Sequence, residues 1–349
     1  MKRQDISVFH DAFLQKGGAE QVVKIWQEEL QTLVSVTGCT KEDLKENKYI
    51  KVLFPWIDTQ RKLELAYPLM PVLRYLIKND SEKIRLVSTS GIAHLFPGNW
   101  NKRILYFHSP ARWIWDQESF EMGRNKLEIF IARILRPIFK KFDRRSIKQS
   151  DVILVNSENT CVKVMKNFGR KSTVLHPPVV EIAQTSQQIK LKEGFETYFL
   201  QVGRVRGYKG LDLTKSLFSH QDLKLILVGE STENLQTDSI LGLGYVKPEQ
   251  LRWLYENAQA LIAVSREDFG LTPVEAAMYG CPTIAFKRGG YLESVREGIS
   301  GVFVEPDNIS ELKKALMLHR KENYSSVDMK KFAKKFSLEM HMSELQKYL

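Results

Sequence analysis

The sequence predicts an α/β protein built from two doubly wound, Rossmann-like domains. Short continuous apolar runs recur along the chain, each followed by a segment of helical spacing. Apolar strands alternating with helices are the mark of a parallel sheet covered on both faces. A His176-Pro177-Pro178 break interrupts the alternation, because two prolines forbid helix and disfavour a central strand. A chain of 349 residues has room for about two domains, and 43% hydrophobic with 27% charged residues can bury a large core.

In the first half, residues 6–9 form an apolar run. Gly17-Gly18 then opens a helix whose apolar positions are Val22, Val23, Ile25, Trp26 and Leu30. Residues 33–36, 84–88 and 104–107 read as strands, and 68–77 as a helix starting near a proline. Residues 126–148 read as a long basic helix and 152–156 as a buried strand. Beyond the prolines, strands are expected at 198–202, 223–228, 244–246, 260–264, 283–286 and 302–304. Helices are expected at 211–219, 248–258, 273–279, 291–296 and 310–319. The expected domains are residues 1–178, residues 179–336 and a last helix, 337–349.

Three cysteines, Cys39, Cys161 and Cys281, lie far apart, with no C-x-x-C spacing. A reducing compartment is expected, without disulfides or a zinc site. No apolar run is long enough for a spanning helix, and residues 1–20 lack a signal-peptide core, so a cytoplasmic protein is expected. The net charge is +11, and residues 101–150 hold twelve Lys/Arg against five Asp/Glu. Such an excess suits an anionic partner: nucleic acid, an acidic membrane or a phosphorylated ligand. Nucleic acid is set aside, since no helix-turn-helix, zinc spacing or aromatic-basic strand motif is present.

In open parallel sheets ligands bind beyond the carboxyl ends of the strands. After 260–264 comes SREDFGLTPVEAAMYG. Thr272 suits an N-cap, Pro273 the first helical position and Glu275 the third, so Glu275 is expected to close a capping box. The same helix start offers backbone N–H groups near Phe269, Gly270 and Leu271 to a phosphate. Glu267 and Glu275 beside such a site suit hydroxyls of a sugar or ribose. After 198–202 comes GRVRGYKG, in which Gly203, Gly207 and Gly210 space the cations Arg204 and Lys209. A departing diphosphate needs such fixed positive charge. Gly244, Tyr245, Val246 and Ser265 follow other strand ends, where small residues leave room for a flat base. Gly17 and Gly18 could meet the diphosphate from the first domain. His108 ends strand 104–107 within YFHSPARWIWD.

GGAE at 17–20, GRVRGYKG, LGYV, SREDFGLTPVEAAMYGCP and GGYLESV, in that order, resemble family-4 glycosyltransferases of the GT-B fold. YFHSPARWIWD, DRRS at 143–146, VNSENT and LHPPV are most similar to bacterial mannosyltransferases of O-antigen and capsule assembly. The resemblance implies roles for individual residues. Arg204 and Lys209 stabilise the nucleoside diphosphate leaving group. Glu267 holds donor-sugar hydroxyls, Phe269, Gly270 and Leu271 give backbone contacts, and Glu275 binds the ribose. Gly18 sits against the diphosphate and His108 near the sugar. It further implies retention of anomeric configuration, no metal and no other cofactor, with GDP-mannose the favoured donor. In one departure from some guanine-using relatives, Lys247-Pro248 follow LGYV and the first acid is Glu249, which leaves UDP and dTDP sugars as alternatives. A sugar-nucleotide epimerase of the same fold is the other alternative, against which EDFGLTPVE speaks.

The expected acceptor is a saccharide hydroxyl, on a lipid-linked or growing glycan. In residues 126–148, Leu127, Phe130, Ile131, Ile134, Leu135, Ile138 and Phe142 form an apolar stripe with basic residues elsewhere. The stripe is expected to pack on the sheet. The second reading is a helix at an anionic membrane, giving a peripheral position on the inner face of the cell membrane.

Overall fold

The computed structural model describes residues 6–15, 17–70, 82–96, 100–121, 124–204, 210–219, 223–306 and 308–349. Lys209, Gly207 and most of the helix expected at 68–77 lie outside the described residues. The chain divides into two compact units, residues 1–176 with 344–349 and residues 177–343.

The first unit holds β1 Ile6–His10, β2 Val34–Val36, β3 Ile50–Val52, β4 Glu82–Thr89, β5 Trp100–Phe107, β6 Val152–Val155 and β7 Thr173–Val174. They form one sheet in the order β3-β2-β1-β4-β5-β6-β7, all neighbours parallel. Its helices are α1 Gly18–Leu30, α2 Lys41–Glu46, α3 Gln60–Ala66, α4 Arg112–Trp115, α5 Gln117–Glu121, α6 Lys126–Lys148 and α7 Glu158–Phe168. The stripe read in α1 is buried, with Trp26 edge-on to Tyr106 at 5.0 Å.

The second unit holds β8 Phe199–Val202, β9 Leu225–Val228, β10 Ile240–Gly242, β11 Leu261–Ala263, β12 Thr283–Phe286 and β13 Gly301–Val304. Their order is β10-β9-β8-β11-β12-β13, again all parallel. Its helices are α8 Leu211–Phe218, α9 Pro248–Asn257, α10 Leu271–Met278, α11 Tyr291–Ser294, α12 Ile309–Leu318 and α13 Ser326–Ala333. The last helix, α14 Leu338–Gln346, carries the chain to the residues that return to the first unit.

Two expectations are corrected. The strand expected at 244–246 is β10, four residues earlier. Gly244 turns out of the ladder at φ +66 and gives its N–H to the Thr232 hydroxyl at 2.9 Å. The stripe of α6 also does not pack as one. Leu135 and Phe142 join the core beside buried Phe139 and Ile147, whereas Leu127, Phe130, Ile131, Ile134 and Ile138 are exposed. The opposite face is anchored by Asp143, fully buried, which accepts from the Trp115 indole at 2.7 Å and pairs with His94 at 3.0 Å. The DRRS run thus ties α6 through its Asp to the turn after β4 and to α4, with Ser146 donating to the His94 carbonyl.

Both sheets reverse strand order at one place, between β1 and β4 in the first and between β8 and β11 in the second. Ligands of open α/β sheets collect at such switch points. At the first, Asp11 gathers the turn after β4: its carboxylate accepts from the backbone N–H of Ser90, Ile92 and Ala93 and from the Thr89 hydroxyl. Removing it strands those donors, at about 1–3 kcal/mol for each buried one. Asp11→Ala is expected to destabilise the first unit by about 2–4 kcal/mol. Five of the six tryptophans lie in that unit, so urea unfolding followed by tryptophan fluorescence reads it. An unchanged midpoint would contradict this role.

Candidate functional site

In the second unit the strand ends are zipped together by backbone. Gly203 donates to the Val228 carbonyl and Gly229 to the Gly244 carbonyl, both at 2.8 Å. The Thr232 hydroxyl donates to the Gly229 carbonyl at 2.9 Å and accepts from Gly244. Gly203 and Gly244 therefore sit where β8, β9 and the turn after β10 converge. Between the ends of β8 and β11 opens a small recess, lined among others by Gly203, Arg204, Ser265, Glu267, Thr272 and Tyr291. Arg204 is half-buried, and its Nη1 has no hydrogen-bond partner among the described residues. An uncompensated guanidinium N–H in a recess is a site prepared for an anion's oxygen.

The segment after β11 is held by the glycine pair after β12. Gly290 donates to the Glu267 carbonyl at 3.0 Å. A Cβ on Gly290 would lie 2.2 Å from the Phe269 Cα and 2.3 Å from the Asp268 carbonyl oxygen, so two backbones touch with no side chain between them. Gly270, at φ +87, meets the Tyr291 ring in the same way, at 2.7 Å. Tyr291 in turn shares a 2.5 Å hydrogen bond with the Ser265 hydroxyl, which donates to Glu267 Oε1 at 3.2 Å. Burial and the nearby Glu267 carboxylate push the Tyr291 phenol far above its ordinary pKa, so it remains a neutral donor. Phe269 points inward, 3% exposed, onto Phe336 at 5.4 Å. EDFG and GGY thus interlock, which fixes Glu267 at the recess.

That interlock changes the reading of Glu275. The helix starts at Gly270, not Thr272, because the left-handed glycine makes the turn into α10. Thr272 and Pro273 fall inside the first turn, Pro273 costing nothing because the first N–H groups have no helical acceptor. Glu275 is one turn in and caps nothing. Its carboxylate accepts from the Tyr255 hydroxyl of α9 at 3.2 Å. Burial, opposed by that hydrogen bond, raises its pKa to about 6. A desolvated carboxylate with one donor can still accept hydrogen bonds from a vicinal diol.

The first switch point gathers a different set. The Ser88 hydroxyl stands between two imidazoles, 2.9 Å from His10 Nδ1 and 2.8 Å from His108 Nε2. A hydroxyl has one proton, so it donates to one ring and accepts from the other, and the two tautomers are coupled. His10 Nε2 is buried without a partner among the described residues. Gly17, extended at φ −137, caps α1 without a side-chain hydrogen bond. Tyr245 is exposed, and the segment containing Val246 leads into α9. Cys39 and Cys281 are buried, which pushes their thiols up to about 11 and about 12. Among the described residues no three His, Cys, Asp or Glu side chains stand together as a metal site.

Residues 183–336 match the family described as Glycosyl transferases group 1. They form a group 1 glycosyltransferase domain. The chain is 25% identical over 266 residues to the mannosylfructose-phosphate synthase of Agrobacterium fabrum, covering 65% of this chain and 56% of that one. It is 26% identical over 289 residues to an alpha-1,3/1,6-mannosyltransferase of Dictyostelium discoideum, covering 66% of each. The chain therefore spans little more than half to two thirds of these relatives. Among solved structures, the sucrose-phosphate synthase of Thermosynechococcus elongatus aligns with a TM-score of 0.74 at 16% identity, over 99% of this chain and 98% of that one. Anabaena HepE, crystallised with UDP and glucose, aligns at 0.68 and 15% identity over 98% of both. The fold is GT-B: two parallel, doubly wound sheets of seven and six strands.

The Tyr255–Glu275 contact carries its own test. The folded protein holds the Glu275 proton more tightly than the unfolded chain, so this group's stabilising contribution is present below about pH 4.5 and lost as pH rises through about 6. At pH 8 the half-buried charge costs about 1–2 kcal/mol. Glu275→Gln is therefore expected to melt a few degrees above the parent at pH 8 in the absence of ligand, with the gain gone by pH 4.5. Equal melting temperatures at pH 8 would contradict the desolvation.

Proposed function

We propose that the protein transfers a hexosyl group, mannosyl by preference, from a nucleoside diphosphate sugar to a saccharide hydroxyl. The observation that carries the reading is the recess at the β8/β11 switch point, lined by both Arg204 and Glu267. Arg204, with Lys209, neutralises charge on the diphosphate as the bond from the anomeric carbon to oxygen breaks. Its worth grows as that charge develops, which is the requirement for lowering a barrier rather than merely binding. Glu267, oriented by Ser265 and Tyr291, accepts from sugar hydroxyls. Backbone at Phe269, Gly270 and Leu271 meets the donor, and Glu275 accepts from the ribose diol. Gly203, Gly244, Tyr245 and Val246 border the base. The resemblance to family-4 glycosyltransferases assigns Gly17 and Gly18 to the diphosphate and His108 to the sugar.

The acceptor oxygen bonds the anomeric carbon, its proton leaves to the released phosphate, and the configuration is retained without a metal. Two mannosyl-named relatives support the sugar, and GDP is the carrier we favour. The acceptor we propose is a lipid-linked or growing glycan of cell-surface polysaccharide assembly, met at the inner face of a membrane.

Transfer to a soluble acceptor is expected to fall about 100-fold or more in each of Arg204→Ala, Lys209→Ala and Glu267→Ala, the usual cost of losing one charge-stabilising contact. The product of an α-linked donor should be α-linked by NMR. Wild-type rates in Glu267→Ala and Lys209→Ala, or an inverted product, would overturn the reading.

A further inference from the structure

The exposed face of α6 has a composition that neither the recess nor the sheet accounts for. Leu127, Phe130, Ile131, Ile134 and Ile138 recur at helical spacing and are 67, 61, 45, 56 and 53% exposed. Five large apolar side chains on one ridge are a patch, not scattered surface hydrophobics. The same face continues toward the C-terminus as Lys141, Arg145 and Lys148, all exposed. At the head of the helix, Arg124 bridges to Glu64 of α3 at 3.1 Å, and α3 with the turn after it exposes Leu65 and Leu69. The helix is held from behind by Asp143, Phe139 and Ile147, so the ridge is a rigid feature of a packed element.

We propose that this face lies in the interface of an anionic bilayer, with the ridge among the acyl chains and the cations on the headgroups. A 23-residue helix is about 35 Å long, enough to lie in the interface plane. It is not built to cross, since no described helix is long and apolar enough to do so. Charge selects lipid over a second copy of the chain. The sole acid on the exposed face is Glu128, already paired with Arg124 at 3.3 Å, so a second copy would offer these cations no unpaired acid. A phospholipid surface instead offers hydrocarbon beside anions. A lipid-linked acceptor, as in the function proposed above, gives the surface a use, and membrane binding can be measured apart from transfer.

The test uses the full chain in flotation with phosphatidylcholine vesicles containing phosphatidylglycerol. Wild type should float, and raising salt should lower the bound fraction several-fold without abolishing it. Phe130→Glu with Ile134→Glu, both at exposed positions, should reduce partitioning at least ten-fold at every salt concentration. Lys141→Gln with Arg145→Gln and Lys148→Gln should remove mainly the salt-sensitive part. Lys140 and Arg144 are left intact because both stand over the Trp115 ring, at 5.1 and 5.2 Å. Transfer to a soluble acceptor should be unchanged in all of these variants, so failure of the membrane proposal is separable from failure of the reaction. Absence of binding to any vesicle, binding indifferent to the apolar pair, or a dimer that the pair dissociates would each overturn it.

Discussion

The second unit depends on one contact between two stretches of backbone. Gly290 lies so close to Asp268 and Phe269 that no side chain fits between them, and its N–H is spent on the Glu267 carbonyl. The contact places the loop after β11 without relying on a flexible side chain. Phe269 then anchors the loop from beneath and Tyr291 covers it from the side. Carboxylates that must face a ligand are poor at holding themselves in place, because their own solvation favours the open state. Here the backbone does the holding, and the Glu267 side chain lines the recess.

The same economy recurs along the sheet edge. Gly203, Gly229 and Gly244 link neighbouring strand ends by N–H to carbonyl contacts, with Thr232 closing the row. Polar atoms that a strand end would leave open are satisfied within the edge itself. Those left over, such as Arg204 Nη1, face the recess. In the first unit the switch point is built from side chains instead. Asp11 organises the turn after β4, and Ser88 couples His10 to His108. One unit presents a cationic, backbone-shaped recess and the other an imidazole pair, from one type of parallel sheet.

Much of this was legible in the sequence, because continuous apolar runs mark buried parallel strands whatever their partners. EDFG follows β11 and Gly203-Arg204 follow β8, at the strand ends where ligands of parallel sheets collect. Two readings failed for physical reasons. T-P-V-E satisfies the rules of a capping box, yet a left-handed glycine two residues upstream starts the helix first. The stripe of α6 has the period of a packed face, but periodicity cannot say which side of a helix meets the sheet, and Asp143, not Ile134, proved to be the inward residue. Gly290 and Tyr291 carried no signal of their own beyond the GGY that follows β12. A close approach between backbones is a property of pairs of segments far apart in sequence. Short elements such as α2 and α3 were missed because two turns give too few positions for a period.

The measurement that tests the account most directly is a thermal-shift panel of GDP, UDP and dTDP on wild type and on Gly290→Ala. Gly290 has ordinary helical dihedrals, φ −68 and ψ −13, so alanine is tolerated by its own backbone and objects only to the neighbouring loop. At about 100 times its dissociation constant a ligand adds roughly 2.7 kcal/mol, a readable rise in melting temperature. The account predicts that GDP raises the wild-type melting temperature and that the rise is lost or sharply reduced in Gly290→Ala. An equal rise in both proteins, or none with any of the three nucleotides, would contradict it.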